Sequence, residues 1–221
     1  MKTHSQFIFL LFYFSSIYSV AQIPDFTFGP RIGFGISNFS KLPSKTGNTF
    51  ALQIGLVACK KVKGNFAIEF CPQVATYGSR IYGVEQNGTT RSSAPMLYTF
   101  HDDLRIGTVE FPFLAKYSLR VEKIYLNAFA GPQICVSMFG EHSRTYDDQN
   151  YNSDHGFSGY SIKDLYDKNY AAVFGIGSEK KIGNGFLGID VRMQYPLTAS
   201  GDIELSKFYV ASYTLGIAWT Q

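Results

Sequence analysis

Three observations predict an all-β fold, an eight-stranded antiparallel transmembrane β-barrel running as an up-and-down meander around a polar filled lumen. The last stretch, Phe208 to Trp219, splits with a period of two into unlike faces. Tyr209, Ala211, Tyr213, Leu215, Ile217 and Trp219 form an apolar, aromatic face, while Phe208, Val210, Ser212, Thr214, Gly216 and Ala218 form a small, mildly polar one. A transmembrane strand needs roughly 9–11 tilted residues with an apolar band between aromatic girdles, and this segment supplies both. Second, further segments of the same kind are joined by connectors that alternate long and short, the asymmetry of a barrel with short turns at one rim and long loops at the other. Third, the ionisable residues of these segments fall on the face opposite the Phe and Ile stripes, the reverse of a soluble barrel.

The bulk numbers agree with this class. The 221 residues are 45% hydrophobic and 17% charged, with 20 Phe, 15 Tyr, 21 Gly and a single Trp, a composition that favours strands over helices. Mean hydropathy is −0.04, as expected where lipid-facing and lumen-facing residues alternate and cancel. A net charge of +3 from dispersed Lys and Arg residues gives no nucleic-acid footprint.

Residues 1–21 read as a signal peptide, with Lys2, an apolar run from Phe7 to Tyr18, and small residues at Ser19-Val20-Ala21. That run is too short for a bilayer anchor. Cleavage after Ala21 leaves 22–221 as one barrel domain with 19 basic and 17 acidic residues.

The first strand runs from about Phe26 to Ser37, with Phe26, Phe28, Pro30, Ile32, Phe34 and Ile36 outward. After a polar connector, the second covers about Thr49 to Cys59, and Lys63-Gly64-Asn65 signals a hairpin turn. The third runs from Phe66 to about Thr76 and is followed by a long polar connector, 77–105. The fourth, Ile106 to Leu119, contains Pro112, which lacks a ladder donor and predicts a bulge. Arg120 to Lys123 is a short turn into the fifth strand, Ile124 to Met138, and 139–168 is the longest connector. The sixth strand covers about Tyr170 to Lys181 and the seventh about Gly185 to Leu197, joined at Ile182-Gly183-Asn184. Thr198 to Lys207 leads to the closing eighth strand.

The inward faces of these strands collect Arg31, Glu69, Glu110, Lys116, Glu179, Asp190 and Arg192, together with Gln53, Gln73, Asn127, Gln133 and Gln194. An eight-stranded barrel is only wide enough to be filled by side chains, so these groups are expected to pair as a structural network and not to line a channel. Cys59, Cys71 and Cys135 also point inward. Three thiols cannot all pair, and buried free thiols are the preferred reading over a Cys59–Cys71 bridge.

Thr108-Val-Glu-Phe-Pro-Phe-Leu-Ala-Lys-Tyr117 resembles the strand of form L-E-I-P-L-L-L-K-Y in the PorT-like outer-membrane barrels of Bacteroidetes-type bacteria. These are similar in architecture to OmpA- and OmpX-type barrels. Tyr125 to Pro132, Val173 to Glu179 and Asp190 to Leu197, the last similar to the family's R-Y-x-Y-G-L segment, carry the resemblance across most of the mature chain. Pro196 stands where the family usually has Gly. The resemblance implies an integral bacterial outer-membrane protein in contact with membrane lipid; some relatives are linked to secretion of other proteins, which makes other envelope or secretion proteins the candidate partners, and most have no assigned activity. It supplies no catalytic residue, metal ligand or cofactor.

Chemistry elsewhere is thin. His101, His142 and His155 fall in the long connectors with no nucleophile placed beside a base, so a lipid-modifying enzyme is the least favoured alternative. Asp148, Asn150, Asn152 and Asp154 alternate like the start of a calcium loop, but Ser153 and Gly159 occupy the positions that need Gly and Glu. Tyr146, Tyr151, Phe157, Tyr160 and Tyr166 among Asp and Ser have the composition of recognition loops, which makes adhesion or ligand binding through 77–105 and 139–168 the main rival to a purely structural or secretion-supporting role.

Overall fold

The strands form because period-two alternation puts one face of each against lipid and the other against the interior. In the computed structural model, which describes residues 25–40, 45–87, 96–146, 159–161, 168–203 and 206–221, they are β1 (Phe26–Ser40), β2 (Lys45–Lys63), β3 (Phe66–Phe70), β4 (Gln73–Asn87), β5 (Met96–Val121), β6 (Ile124–Tyr146), β7 (Gly159–Ser161), β8 (Lys168–Ile182), β9 (Gly185–Pro196), β10 (Gly201–Ile203) and β11 (Ser206–Thr220). Residues 1–21, where the signal peptide is expected, lie outside the described residues.

The sheet closes on itself. Taking β3 and β4 as one interrupted stave, eight antiparallel staves follow in the order β1, β2, β3/β4, β5, β6, β8, β9 and β11, and β11 returns to β1 from Arg31↔Ala218 to Ser40↔Tyr209. Reciprocal bonds between Phe28 and Gln221, at 2.8 and 2.9 Å, seal the seam. β7 adds to the far end of β6, and β10 forms a small hairpin with β11.

Three two-residue turns lie at one rim: Gly64–Asn65, Glu122–Lys123 and Gly183–Asn184. Gly64 and Gly183 have φ of +56° and +59°, a backbone region open to glycine at no steric cost. Glu122 sits at φ 54° in the equivalent place.

The outer face carries Phe34, Ile54, Ile68, Val74, Phe113, Ile134, Phe174, Ile176, Val191 and Leu215, all at least a third exposed, while Arg31, Glu110 and Arg192 are almost fully buried. The barrel is therefore inside out relative to a soluble one.

Several boundaries differ from the sequence reading. Segment 77–105 is not a connector through most of its length: β4 and β5 stay paired from Gln73↔Glu110 out to Asn87↔Met96. Likewise 139–146 continues β6, and 159–161 is β7, so 139–168 is strand in part. The bulge expected at Pro112 is elsewhere. Pro112 keeps regular register opposite Gln133, and the β5–β6 register shifts instead between Gly107 and Thr108, leaving Met138 and Phe139 both exposed. The missing donor of Pro112 is accommodated by the neighbouring stave, which breaks at Cys71–Pro72 between β3 and β4; the Cys71 N–H still donates to the Pro112 carbonyl at 3.1 Å, and Leu56 N–H to that of Pro72 at 2.9 Å.

Candidate functional site

Alternation places one polar side chain from nearly every stave at mid-height, and the closed ring brings them together. Lys116 on β5 reaches Glu179 on β8 and lies 3.7 Å from Glu69 on β3. Arg192 on β9 bridges Glu69 at 2.8 Å and Asp190 at 2.9 Å. Asp190 is also held by Arg31 of β1 through two bonds, Nη2 to Oδ1 at 2.6 Å and Nε to Oδ2 at 3.1 Å. The planar guanidinium fork suits such a two-point contact. The Nη1 of Arg31 continues to Gln53 at 3.2 Å and Gln73 at 3.4 Å.

Glu110 joins this chain without a cation. Its carboxylate accepts from Gln73 Nε2 and the Tyr77 hydroxyl, both at 2.7 Å, and from Thr108 at 3.2 Å. Tyr77 also takes a bond from Gln53 at 2.9 Å and lies 2.8 Å from Gln194 Oε1. All seven ionisable residues singled out in the sequence thus fall on one connected path across the interior, and Tyr77, which the sequence reading left in a connector, links its upper end. Burial without such partners would cost several kcal/mol per charge. Cys59, Cys71 and Cys135 are free thiols, and Cys71 Sγ lies 3.1 Å from Glu69.

Above the polar path the interior changes character. Phe39, Ala51, Ala75, Tyr77, Ile81, Leu104, Ile106, Phe208 and Val210 form a buried apolar cluster, with the Phe39 and Phe208 rings stacked at 5.1 Å. On the outer face at this level Arg80 pairs with Asp103 at 2.8 Å, beside exposed Phe50 and Tyr82. Just inside, Asp102 accepts from Arg144 Nε at 2.8 Å and lies 3.2 Å from His142 Nε2. Burial works against ionised Asp102, but the hydrogen bonds from His142 and Arg144 outweigh it and hold its carboxyl below the usual carboxylate range. His101 and His142 therefore sit on paired strands and not in connectors, while His155 and the Asp148–Asp154 run lie outside the described residues.

Two cavities flank the packed interior. One of about 330 Å³ opens at the short-turn rim among Cys59, Lys61, Lys116, Arg120 and Glu179. The other, about 520 Å³, lies where the β2–β4 register shifts between Asn48 and Leu52, beside Phe50, Arg80, Asp103 and Phe139.

The sequence model of a family described as "Outer membrane protein beta-barrel domain" matches residues 20–201. No curated protein matches the chain. Among solved structures, the chain is similar to OprG of Pseudomonas aeruginosa (11% identity, TM-score 0.46, covering 89% of this chain and 95% of that one). It is also similar to Neisserial surface protein A (11%, TM-score 0.39, 86% and 95%) and to Ail, the attachment invasion locus protein of Yersinia pestis (10%, TM-score 0.38, 89% and 99%).

Proposed function

The chain belongs to the outer membrane protein β-barrel domain family, and from that premise we propose that it is a non-conducting, non-catalytic anchor that holds the raised β4–β5–β6 sheet at the bacterial cell surface. The observation that carries this reading is the side-chain filling of the interior, the ion-paired path below and the apolar cluster above, combined with strands that continue well past the apolar belt. A filled barrel offers no route for solute, so work at the surface falls to what projects from it. Export through residues 1–21 and direct contact with outer-membrane lipid belong to the same proposal.

Support for secretion of other proteins, as the PorT-like strand motif around Thr108–Tyr117 implies, is the second reading. One truncation separates them. Tyr82 pairs with His101, so replacing residues 83–100 with Asn-Gly makes a register-preserving hairpin that keeps Ile81, Asp102 and Leu104. The variant should retain the migration shift on boiling that marks a folded outer-membrane barrel and show no conductance steps in planar bilayers. Loss of cell adhesion with unchanged export of secreted proteins supports the surface reading. Loss of export with unchanged adhesion supports the secretion reading and sinks the first.

A further inference from the structure

We propose that the short-turn rim is a basic collar that binds the headgroups of anionic phospholipids in the membrane leaflet it reaches. The inference rests on the barrel's place in a membrane and not on what its surface sheet does. Lys60, Lys61 and Lys63 close β2, Arg120 and Lys123 flank the β5–β6 turn, and Lys180 and Lys181 end β8; all are exposed. The exposed carboxylates on this rim are Glu122 and Asp25, whose backbone carbonyl accepts from Lys61 N–H at 2.9 Å. The collar, seven cations against two carboxylates, therefore carries net +5, and the rest of the chain, 13 basic against 15 acidic residues, carries −2.

Pairing separates these cations from five others in the molecule, though not from exposed Arg105, Lys168 and Lys207. Arg31, Lys116 and Arg192 in the interior, and Arg80 and Arg144 above it, each meet a carboxylate. Among the described residues none of the collar cations is seen in an ion pair, and Arg120 Nε instead donates to the Glu122 backbone carbonyl at 3.2 Å. Seven like charges crowded on one rim repel one another unless anions arrive from outside the chain.

The register identifies lipid as the source of those anions. Lys60 continues the lipid-facing row of Ile54, Leu56 and Ala58, and Lys180 that of Phe174, Ile176 and Ser178. Their cross-strand partners are Ile68 and Ile124, and the next residues outward in each row are Val62 and Ile182, all at least two-fifths exposed. A lysine set between exposed aliphatics lays its methylene stem along the apolar belt and lifts its ammonium to the headgroup plane. An acidic soluble protein docking end-on meets Lys63 and Lys123 but leaves Lys60 and Lys180 pointing sideways into the bilayer. Each basic group near a charged membrane surface contributes a modest, salt-sensitive attraction.

The test uses the full-length mature barrel in phosphatidylcholine bilayers carrying a trace of spin-labelled phosphatidylglycerol or spin-labelled phosphatidylcholine, with the protein-bound fraction read by electron spin resonance. The phosphatidylglycerol label should be retained about fivefold more strongly than the phosphatidylcholine label at low salt, and the ratio should approach one in molar salt. Lys60→Gln with Lys180→Gln should lower the ratio, and adding Lys63→Gln and Lys181→Gln should lower it further, while Arg80→Gln at the other end leaves it unchanged. Equal retention of the two labels by the wild-type barrel overturns the proposal without requiring any variant to fold, and a ratio undiminished by the four substitutions in an inserted variant overturns it too. A chain that fails to insert at all refutes the membrane placement, a result distinct from inserted protein without lipid preference.

Discussion

The interior has two storeys made by the same staves, and they follow opposite rules. In the lower one Arg31, Glu69, Lys116, Asp190 and Arg192 are buried as a paired network, and the outer face is Phe, Ile and Val. In the upper one Phe39, Leu104, Ile81, Phe208 and Val210 are buried together, and Arg80 with Asp103 lies outside. Polarity inside tends to invert between the two levels, although Leu114, Phe129 and Val173 form a small apolar cluster in the lower one. Within the belt, lipid gives little hydrophobic reason to bury aliphatic side chains, so specific polar pairing fills most of the lumen, with Arg192 stacked 5.0 Å over Phe129. Where the strands rise into water, burial of apolar area again drives packing at about 25 cal/mol per Å², and the barrel becomes an ordinary one. β4 shows the inversion along one strand: Gln73 and Tyr77 bond to Glu110, and Ile81, four residues on, packs with Leu104.

The largest expected effect comes from breaking the lower storey one-sidedly. Arg192→Leu leaves Glu69 and Asp190 short of their shared cation and should cost about 3–5 kcal/mol, read as a lower denaturant midpoint for loss of the heat-modifiable form. Combining it with Glu69→Gln should recover a large part of that loss, since removing both partners of a buried pair is far milder than removing one. A double variant no better than the single would show that the storey is held by packing and not by charge pairing.

Phe208→Ala attacks the upper storey and should cost about 3 kcal/mol or more, the range for emptying a well-packed aromatic site. The loss should be local: proteolysis and amide exchange speed up in β4, β5 and β6 beyond the belt, and the heat-modifiable barrel survives. Equal loosening of both storeys would show that they form one cooperative unit.

The lower storey was legible in the sequence because its outward residues are unmistakably apolar. Alternation around Phe34, Phe111 and Leu215 set the faces, and the seven ionisable lumen positions followed from parity alone. The upper storey was not, since the cue that defines a membrane strand, apolar residues outward, reverses at the belt edge. Tyr77, Ser79 and Ile81 are inward, as are Asp102, Leu104 and Ile106, but with Arg80, Asp103 and Arg105 opposite them the stretch 77–105 reads as polar connector. A search for alternation of either sign would have found it. The bulge at Gly107–Thr108 was hidden for a different reason: Met138 and Phe139 are both apolar, so nothing in the sequence marks the point where β6 changes parity.

A smaller effect probes how tightly the lower storey is fitted. A Cβ at Gly216 would lie 2.2 Å from Arg31 Nη2, so Gly216→Ala must displace the guanidinium from Asp190 or push the stave outward. Overpacking of this kind costs about 1–3 kcal/mol, and it should largely vanish in an Arg31→Met background, where the obstructing group is gone. Persistence of the full cost there would place the strain in the backbone instead.

The smallest effect separates the storeys by pH. Asp102, beside Arg144 and His142 on β6 and opposite Ile81 on β4, is held below its ordinary range in the folded protein. A depressed folded value means that the stabilisation is fully present above the unfolded carboxyl value, near 4 on the reference scale, and fades as pH falls through the folded one. Protease resistance of the β4–β5–β6 extension should thus hold from neutral pH down to about 4 and decline below it. Asp102→Asn should lower resistance at neutral pH and flatten the decline. If the acid limb is unchanged in that variant, the titrating group lies elsewhere and Asp102 does not set the acid limit of the extension.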